Sequence, residues 1–309
     1  MTSSMLPARR MSMTPAQRVI LLLGAPATLA LVVWTGYSIV ASTAQGSFTN
    51  TYTEAVTGPA LTMDVDGGDV DVQGGSAAGS VRLTQIVSYG LTRPDVQPAI
   101  DVSRGAGGTS VSFASYDYSD NFSITGSAAV PARTAVNVST NGGNATIGGM
   151  AAPVAVSTDQ GNLTVSGITH GGTLSSGGGD VTASGVTGAT TMLTGGGNVY
   201  ADQVTGNLEV STQGGDVQAT GLATPDLSVD SGGGYVTLTL TSAPKNLQID
   251  TEGGNVTVIL PPGSARYDVK LNGNNVGGPN GNISNTIPSS PSAKNLLTVD
   301  SGGGDITIS

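Results

Sequence analysis

The residues best suited to binding a metal ion recur at a fixed spacing of 18. Asp or Asn occupies this position in five successive copies, namely Asn144, Asn162, Asp180, Asn198 and Asp216. Calcium prefers oxygen ligands of this kind, and stacked nonapeptide repeats bind it through aspartates in their turns. Here each copy is twice as long and has a single Asp/Asn position, which is Asn in three of the five copies. We therefore predict a structural ladder of side chains, with calcium binding as the alternative.

Asp180 and Asp216 are the two carboxylates of this ladder that an enzyme could use. They lie two copies apart, or roughly 10 Å if the copies stack, which slightly exceeds the usual separation in glycosidases. Residues 134–244 contain no Lys or Arg that could serve as a base or a clamp. We predict no catalytic residue, and a polysaccharide-active enzyme is the third of three functional hypotheses.

Other common site chemistries lack the residues they need. The chain has no cysteine and a single histidine, His170. One imidazole without thiolates cannot build a zinc site, and a Ser-His-Asp hydrolase would also need a GxSxG turn. The glycine runs lack the lysine of a phosphate-binding loop. We predict that His170 is an exposed loop residue and that the protein holds no metal or cofactor.

These residues are positioned by a repeat that runs without slippage from residue 137 to 222. Short β-prone runs separated by glycine at a fixed period predict an all-β fold, a parallel β-solenoid (β-helix) with rungs of about 18 residues. Equivalent residues of stacked rungs should form columns with a spacing of about 4.8 Å. The apolar columns predicted to form the core are Val138, Val156, Leu174, Met192 and Val210; Ala145, Leu163, Val181, Val199 and Val217; Ile147, Val165, Ala183, Ala201 and Ala219; and Met150, Ile168, Val186, Val204 and Leu222.

The turn before each Asp/Asn is equally regular. A Ser or Thr stands four residues earlier, with a glycine-rich linker between the two positions. Glycine adopts the left-handed conformation that other residues resist, and Asp or Asn bonds to nearby backbone. We predict that the glycines supply left-handed corners and that the Asp/Asn side chains point outward or cap these corners.

The repeat also gives the predicted domain boundaries. Residues 136–309 are predicted to be solenoid repeats with an irregular Pro-rich insertion at 261–291, and residues 42–135 a linker and an N-terminal β cap. Residues 64–72 resemble a degenerate first copy, and terminal units should be atypical because they close the core. Strand-like residues 305–309 end the chain, so we predict an unprotected final rung whose edge pairs with other chains and causes self-association.

Residues 19–41 form an uncharged stretch of 23 residues. As a helix it would span roughly 34 Å, enough to cross a bilayer core of about 30 Å. The arginines at 9, 10 and 18 precede this stretch, and the next basic residue is Arg82. The positive-inside rule then predicts a cytoplasmic tail at 1–18, a single transmembrane helix at 19–41 and an extracytoplasmic C-terminal domain. A signal peptide cleaved near 42–44 is the alternative, and both interpretations export the domain.

The distribution of charge excludes one class of partner. The net charge is −10, and because the first 18 residues contain three arginines and no acidic residue, the remainder carries −13. Nucleic-acid-binding domains carry basic patches, so we predict no nucleic-acid partner. The acidity also disfavours contact with anionic lipid, which leaves the N-terminal helix as the predicted membrane contact.

Three stretches of sequence resemble a known family. They are the turn [ST]-x-G-G-[DN]-[VI]-[TQ], residues 129–140 (AVPARTAVNVST) and residues 299–308 (VDSGGGDITI). In these the chain is similar to the bacterial putative-adhesin β-strand-repeat family, a large group of domains of unknown function behind a single N-terminal membrane helix. The resemblance covers roughly residues 48–309 and implies a β-solenoid at the cell envelope. It implies no catalytic residues, and the cysteines that many relatives have in the cap are absent here.

The primary functional hypothesis is a membrane-anchored, extracytoplasmic β-solenoid that acts as an adhesin-like or scaffold module at the bacterial cell envelope. Its partner would be a cell-wall polymer or a surface protein. The second hypothesis is an accessory or sensor protein of an envelope-stress system, and the enzyme is the third. We expect the functional surface where the repeat fails, at Tyr235, the 261–291 stretch and the N-terminal cap.

Overall fold

The computed structural model describes residues 46–89, 99–114, 122–263, 266–273 and 281–309. The predicted cytoplasmic tail at 1–18, transmembrane helix at 19–41 and cleavage site at 42–44 lie outside these ranges. None of the described residues belongs to a helix with the length and apolar character needed to cross a bilayer. A large compact unit comprises residues 49–86 and 97–309, and the account below concerns its described part.

The described residues form β-strands joined by tight turns, with valine and threonine alternating along many of them. Such residues favour the extended conformation because their branched side chains pack well on a pleated surface. In chain order the strands are β1 (Gly46–Val56), β2 (Ala60–Val65), β3 (Asp69–Gly74), β4 (Gly79–Tyr89), β5 (Ala99–Gly105), β6 (Gly108–Ala114), β7 (Phe122–Val130), β8 (Ala135–Thr140), β9 (Ala145–Gly148), β10 (Val154–Thr158), β11 (Leu163–Ser166), β12 (Gly172–Ser176), β13 (Val181–Thr187), β14 (Thr190–Thr194), β15 (Val199–Thr205), β16 (Leu208–Thr212), β17 (Val217–Leu222), β18 (Asp226–Asp230), β19 (Val236–Leu240), β20 (Asn246–Asp250), β21 (Val256–Ile259), β22 (Tyr267–Asn272), β23 (Ile283–Asn285), β24 (Asn295–Asp300) and β25 (Ile306–Ile308).

The strands form two sheets. Sheet A has 13 strands in the order β1-β4-β7-β3-β9-β11-β13-β15-β17-β19-β21-β25-β23. Sheet B has 12 strands in the order β22-β24-β20-β18-β16-β14-β12-β10-β8-β2-β6-β5. Each rung consists of one sheet B strand followed by one sheet A strand, and the rungs from β8–β9 onward stack in parallel. The predicted all-β fold of parallel stacked rungs is confirmed.

The strand register matches the period of the repeat. Val156 pairs with Val138 on one side and with Leu174 on the other, so equivalent positions 18 residues apart lie directly above one another. Each of the twenty predicted core residues is buried, with at most 3% of its surface exposed. Both sheets contribute to a single apolar core. The period of the sequence therefore determines the register, because a slip by one residue would turn the apolar columns outward.

The structure contains a further core column that the sequence analysis missed. It lies at or next to the start of the sheet B strands and comprises the buried residues Val136, Val154, Leu208, Leu227, Leu247 and Leu297. Gly172 and Thr190 occupy this position in two of the strict copies. These two residues break the apolar pattern, so the column is not visible in the sequence of the repeat.

At the N-terminal end the rungs do not stack in chain order. The degenerate copy forms β2 and β3, which pair with β8 and β9 as a rung should. On their other side, however, β2 and β3 pair with β6 and β7, which come later in the chain. The cap therefore contains an additional rung below the degenerate copy, and β5 closes sheet B by antiparallel pairing with β6.

The C-terminal end corrects the prediction of an unprotected final rung. Residues 305–309 contain β25, which pairs with β21 on one side and with β23 on the other. In sheet B, β24 likewise lies between β20 and β22. The outermost rung consists of β22 and β23, which belong to the Pro-rich 261–291 stretch. After β21 the chain therefore leaves one rung position vacant and forms β22 and β23 at the end of the two sheets. It then returns, and β24 and β25 fill the vacant position between β20–β21 and β22–β23.

Candidate interaction surface

The recurring Asp and Asn side chains form a continuous hydrogen-bonded ladder. The backbone N–H of Asn162 donates to Asn144 Oδ1 at 2.9 Å, and that of Asp180 donates to Asn162 Oδ1 at 2.8 Å. The same bond joins Asn198 to Asp180 at 2.8 Å and Asp216 to Asn198 at 2.9 Å. Each side chain therefore satisfies a backbone donor of the next rung, which agrees with the predicted structural ladder.

The ladder leaves little capacity for a cation. Asp180 and Asp216 are separated by the rung of Asn198, so the two carboxylates do not lie on adjacent rungs. One oxygen of each is already an acceptor for a backbone N–H. Among the described residues there is no group of three or more His, Asp or Glu side chains placed to hold a metal ion.

The Ser and Thr residues of the corner are buried and connect adjacent rungs. Thr158 Oγ1 donates to the carbonyl oxygen of Gly143 in the preceding rung at 3.0 Å and accepts the N–H of Gly161 at 3.0 Å. Ser176, Thr194 and Thr212 make the equivalent pair of bonds. A buried hydroxyl with both bonds satisfied stabilises the corner, whereas an unsatisfied one would cost about 1–3 kcal/mol.

The structure gives a different reason for one glycine of each corner. A Cβ atom on Gly179 would overlap the backbone of Gly161, the equivalent residue of the preceding rung. The backbone of Gly179 is not in the left-handed region. This position therefore requires glycine because adjacent rungs approach closely, and the predicted left-handed conformation is wrong here. In the five strict copies, left-handed glycines occur instead at the second corner, for example at Gly185 with a φ of 60°. In later copies the first corner also has them, for example Gly232 with a φ of 54°.

Tyr235 occupies the ladder position of its rung and is 59% exposed. Its N–H donates to Asp216 Oδ1 at 2.8 Å, as an Asp or Asn would. Its Cγ has no oxygen, so the side chain lacks the Oδ1 acceptor that Asp or Asn would offer to the N–H of Asn255 in the next rung. The ladder resumes beyond this point, since Asp305 N–H donates to Asn255 Oδ1 at 2.8 Å.

His170 lies at an exposed turn, as predicted. Its Nδ1 is 3.1 Å from Thr169 Oγ1, within hydrogen-bond distance. Asp180 and His170 belong to different turns of the solenoid, and the ladder already employs the carboxylate.

The outer face of sheet A presents a regular column of polar side chains, one from each rung. The column alternates with buried residues along each strand, so its members point away from the core. Threonine predominates, and Tyr200, which is 39% exposed, lies at the centre of the column. In spatial order the column contains Ser127, Asp71, Thr146, Thr164, Thr182, Tyr200, Gln218, Thr237, Thr257, Thr307 and Ser284.

Tyr200 forms one wall of a shallow open groove of about 240 Å³ on this face. Thr182 and Gln218 flank the ring on the adjacent rungs. A second outward column supplies Asp202 and Thr220, whose hydroxyl donates to Asp202 Oδ1 at 2.8 Å. The groove thus combines an aromatic ring with hydroxyl, amide and carboxylate groups on rungs of regular spacing. The sequence analysis missed it, although an aromatic residue at a threonine position was a visible signal.

A second groove of about 320 Å³ lies on sheet B. It contains Glu209 and Asp226, and Asn246 Nδ2 donates to Asp226 Oδ1 at 2.7 Å. This groove is more acidic than the groove at Tyr200 and has no aromatic lining.

Sheet B also contains a column of three stacked aspartates that the sequence analysis missed. Asp250 pairs in register with Asp230 on one side and with Asp300 on the other. Burial raises the pKa of Asp250, and the negative charges of Asp300, Asp230 and Glu252 raise it further. The spacings along the chain are 20 and 50 residues, so no periodicity relates the three residues.

Comparisons with known proteins identify one family and two solved structures. The family profile described as Toastrack DUF4097 matches residues 61–309. Two solved structures are similar at low identity. One is a putative cell adhesion protein from Clostridium sporogenes, with 12% identity over 84% of this chain and 99% of that chain and a TM-score of 0.21. The other is a putative adhesin from Parabacteroides distasonis, with 14% identity over 69% and 90% and a TM-score of 0.35. No curated protein matches the chain.

Proposed function

The chain belongs to the Toastrack DUF4097 family, whose domain has no known function, and we propose that it acts as an adhesin-like interaction module at the bacterial cell envelope. In this proposal, residues 19–41 anchor the protein in the membrane, residues 1–18 lie in the cytoplasm, and the solenoid is displayed outside. The observation that carries the proposal is the outer face of sheet A, where successive rungs present hydroxyl and amide groups around the ring of Tyr200.

The chemistry of this face favours an uncharged polysaccharide as the ligand. Hydroxyl, amide and carboxylate groups exchange hydrogen bonds with sugar hydroxyls, and the exposed ring of Tyr200 offers an apolar surface to the C–H groups of a pyranose. A net charge of −13 after residue 18 repels acidic polymers,. Regular spacing of the rungs suits a polymer with a repeating unit better than a compact protein.

Binding to a polysaccharide array tests this proposal. The full chain in mild detergent should bind neutral polysaccharides and leave acidic ones unbound. Tyr200→Ala should weaken binding by about 2- to 13-fold, because an aromatic contact contributes about 0.5–1.5 kcal/mol. Tyr235→Ala is the matched control, since this tyrosine is also exposed but lies on a corner. Equal losses in both variants, or no binding to any polysaccharide, would contradict the proposal.

Display outside the membrane is tested separately by labelling lysines. The three lysines of the chain, Lys245, Lys270 and Lys294, all lie in the solenoid and are exposed. A membrane-impermeant amine reagent should label them in intact cells to the same extent as in lysed cells. Labelling that appears only after lysis would contradict display at the cell surface.

A further inference from the structure

The last fifteen residues of the chain form a rung that earlier parts of the chain enclose. In sheet B, Leu296–Asp300 pairs in register with Asn246–Asp250, and Asn295–Asp300 pairs with Tyr267–Asn272. In sheet A, Ile306–Ile308 pairs with Val256–Val258 and with Ile283–Asn285. Both backbone edges of the terminal segment are therefore hydrogen-bonded.

Backbone bonds hold this segment along its whole length. On one side, Leu296 N–H donates to Lys245 O at 2.8 Å, and Leu260 N–H donates to Ser309 O at 2.8 Å. On the other side, Ser301 N–H donates to Asn272 O at 2.9 Å. In β-strand addition, such backbone hydrogen bonds supply affinity, and pockets for alternate side chains supply specificity.

Four apolar side chains of the segment complete the core. Leu297, Val299, Ile306 and Ile308 are each at most 1% exposed. Two of them come from sheet B and two from sheet A, so the segment supplies a full cross-section of the core at its level. Without it, the rungs formed by β20–β21 and β22–β23 would each lose an apolar neighbour.

The strands on both sides of residues 295–309 come before this segment in the chain. The chain runs from β21 through Pro261 and Pro262 to β22, and β20–β21 and β22–β23 therefore both precede the terminal segment in the chain. The connection from β23 to β24 spans residues 286–294, contains Pro288 and Pro291 and is largely exposed.

We propose that residues 295–309 are an exchangeable rung, which one copy of this chain can insert into the equivalent position of a second copy. The two copies have the same register and the same four apolar residues, so the exchanged contacts equal the original ones. Exchange of an identical terminal element is a low-cost route to a dimer. This proposal does not depend on the polysaccharide-binding function.

Engineered cysteines can detect the exchange directly, because the chain has no cysteine of its own. Lys270 on β22 and Thr298 on β24 are partners in register. Their strands are about 4.8 Å apart, which brings the Cα atoms within the range of a disulfide. Full chains that carry Lys270→Cys are unfolded, mixed with tagged full chains that carry Thr298→Cys and refolded together in detergent. A disulfide-linked heterodimer is expected, and its fraction should rise with protein concentration.

Two controls make the outcome decisive. Thr237→Cys mixed with Thr298→Cys should give only background crosslinking, since Thr237 lies on sheet A, away from β24. A single chain with both Lys270→Cys and Thr298→Cys should form an intrachain disulfide at low concentration, and an interchain disulfide at the concentrations at which the mixed dimer forms. An intrachain disulfide together with no mixed dimer at any concentration would overturn the proposal. Failure of the intrachain disulfide would also overturn it, because the pairing of β22 with β24 is its premise.

Discussion

At the scale of single residues, the Asp/Asn position is explained by hydrogen bonding between rungs. The side-chain oxygen of each residue accepts the backbone N–H of the next, as between Asn162 and Asp180 at 2.8 Å. Either Asp or Asn can perform this role because both have an acceptor oxygen at Cγ. Alternating the two avoids adjacent carboxylates, which would repel one another by about 1 kcal/mol in water.

Among the residues that the structure describes, Gln203 is the one whose backbone conformation fits its type least well. It has a φ of 55°, whereas the equivalent positions in other copies are glycines with similar φ, such as Gly185 at 60° and Gly221 at 67°. The left-handed conformation costs a residue with a Cβ atom about 1–2 kcal/mol, while glycine loses about 0.5–1 kcal/mol more conformational entropy on folding.

We therefore expect Gln203→Gly to stabilise the protein by about 0.5–1 kcal/mol, which urea denaturation would measure. Gln203→Ala is the matched control, since it keeps the Cβ atom and the strained conformation. A gain of equal size with alanine would show that removal of the side chain, and not relief of the backbone, is responsible.

At the scale of the elements, the aspartate column of sheet B makes stability depend on pH. Because burial and neighbouring charges raise the pKa of Asp250 above its ordinary value of 3.8, the folded state binds its proton more tightly than the unfolded state does. The contribution of this group to stability is thus greatest below pH 3.8. It is lost as the pH rises through the raised pKa.

Asp250→Asn should consequently stabilise the protein at neutral pH and have little effect at pH 3. Since the group is largely exposed, we expect a gain below about 1 kcal/mol that added salt reduces further. Thermal unfolding at several pH values would measure it, with Asp159→Asn, outside the column, as the control. A gain that is independent of pH and salt would refute the electrostatic explanation.

The corners show how one tetrapeptide can form two different turns. Ser176 and Ser231 are each followed by three glycines. The hydroxyl of Ser176 donates to Gly161 O in the preceding rung, whereas that of Ser231 donates to Gly234 O in its own rung. In the turn that follows Ser231, Gly232 is left-handed, with a φ of 54°. Because the two turns have the same local sequence, the turn conformation depends on the length of each rung and on the adjacent rungs.

At the scale of the whole molecule, the unit of stability is one rung stacked on the next. Removal of residues 174–191 would join Thr173 to Met192. Since Thr173 and Thr191 are equivalent in register, the shortened chain keeps every column. We expect it to fold and to unfold cooperatively, as measured by circular dichroism during thermal denaturation.

The control for this deletion removes one residue fewer, 174–190. It places Thr191 at the inward position of Leu174 and turns Met192 outward. We expect this variant to be less stable than the first by about 2–5 kcal/mol, the cost of losing a large buried side chain. Equal stability of the two variants would contradict the argument that the 18-residue period sets the register.

The sequence by itself determined the repeating part of the molecule. Its 18-residue period identified twenty core residues of the strict copies and the Asp/Asn ladder, because equivalent residues of adjacent rungs interact through short-range, identical contacts. It did not identify the further column at Val136, Val154 and Leu208. It also drew attention to Tyr235, which does interrupt the ladder. The groove at Tyr200 was not predicted. Its walls come from residues on three rungs, and each of these residues by itself is an ordinary polar surface residue of a strand.

Only the tertiary structure decided the order of the rungs at the two ends. There, β2–β3 lies between β6–β7 and β8–β9, and β24–β25 lies between β20–β21 and β22–β23. Every rung offers nearly the same backbone donors and acceptors and a similar apolar cross-section, so the pattern of one rung does not specify its neighbours. The choice depends on which arrangement closes both ends of the core, and contacts between residues up to 75 positions apart decide it.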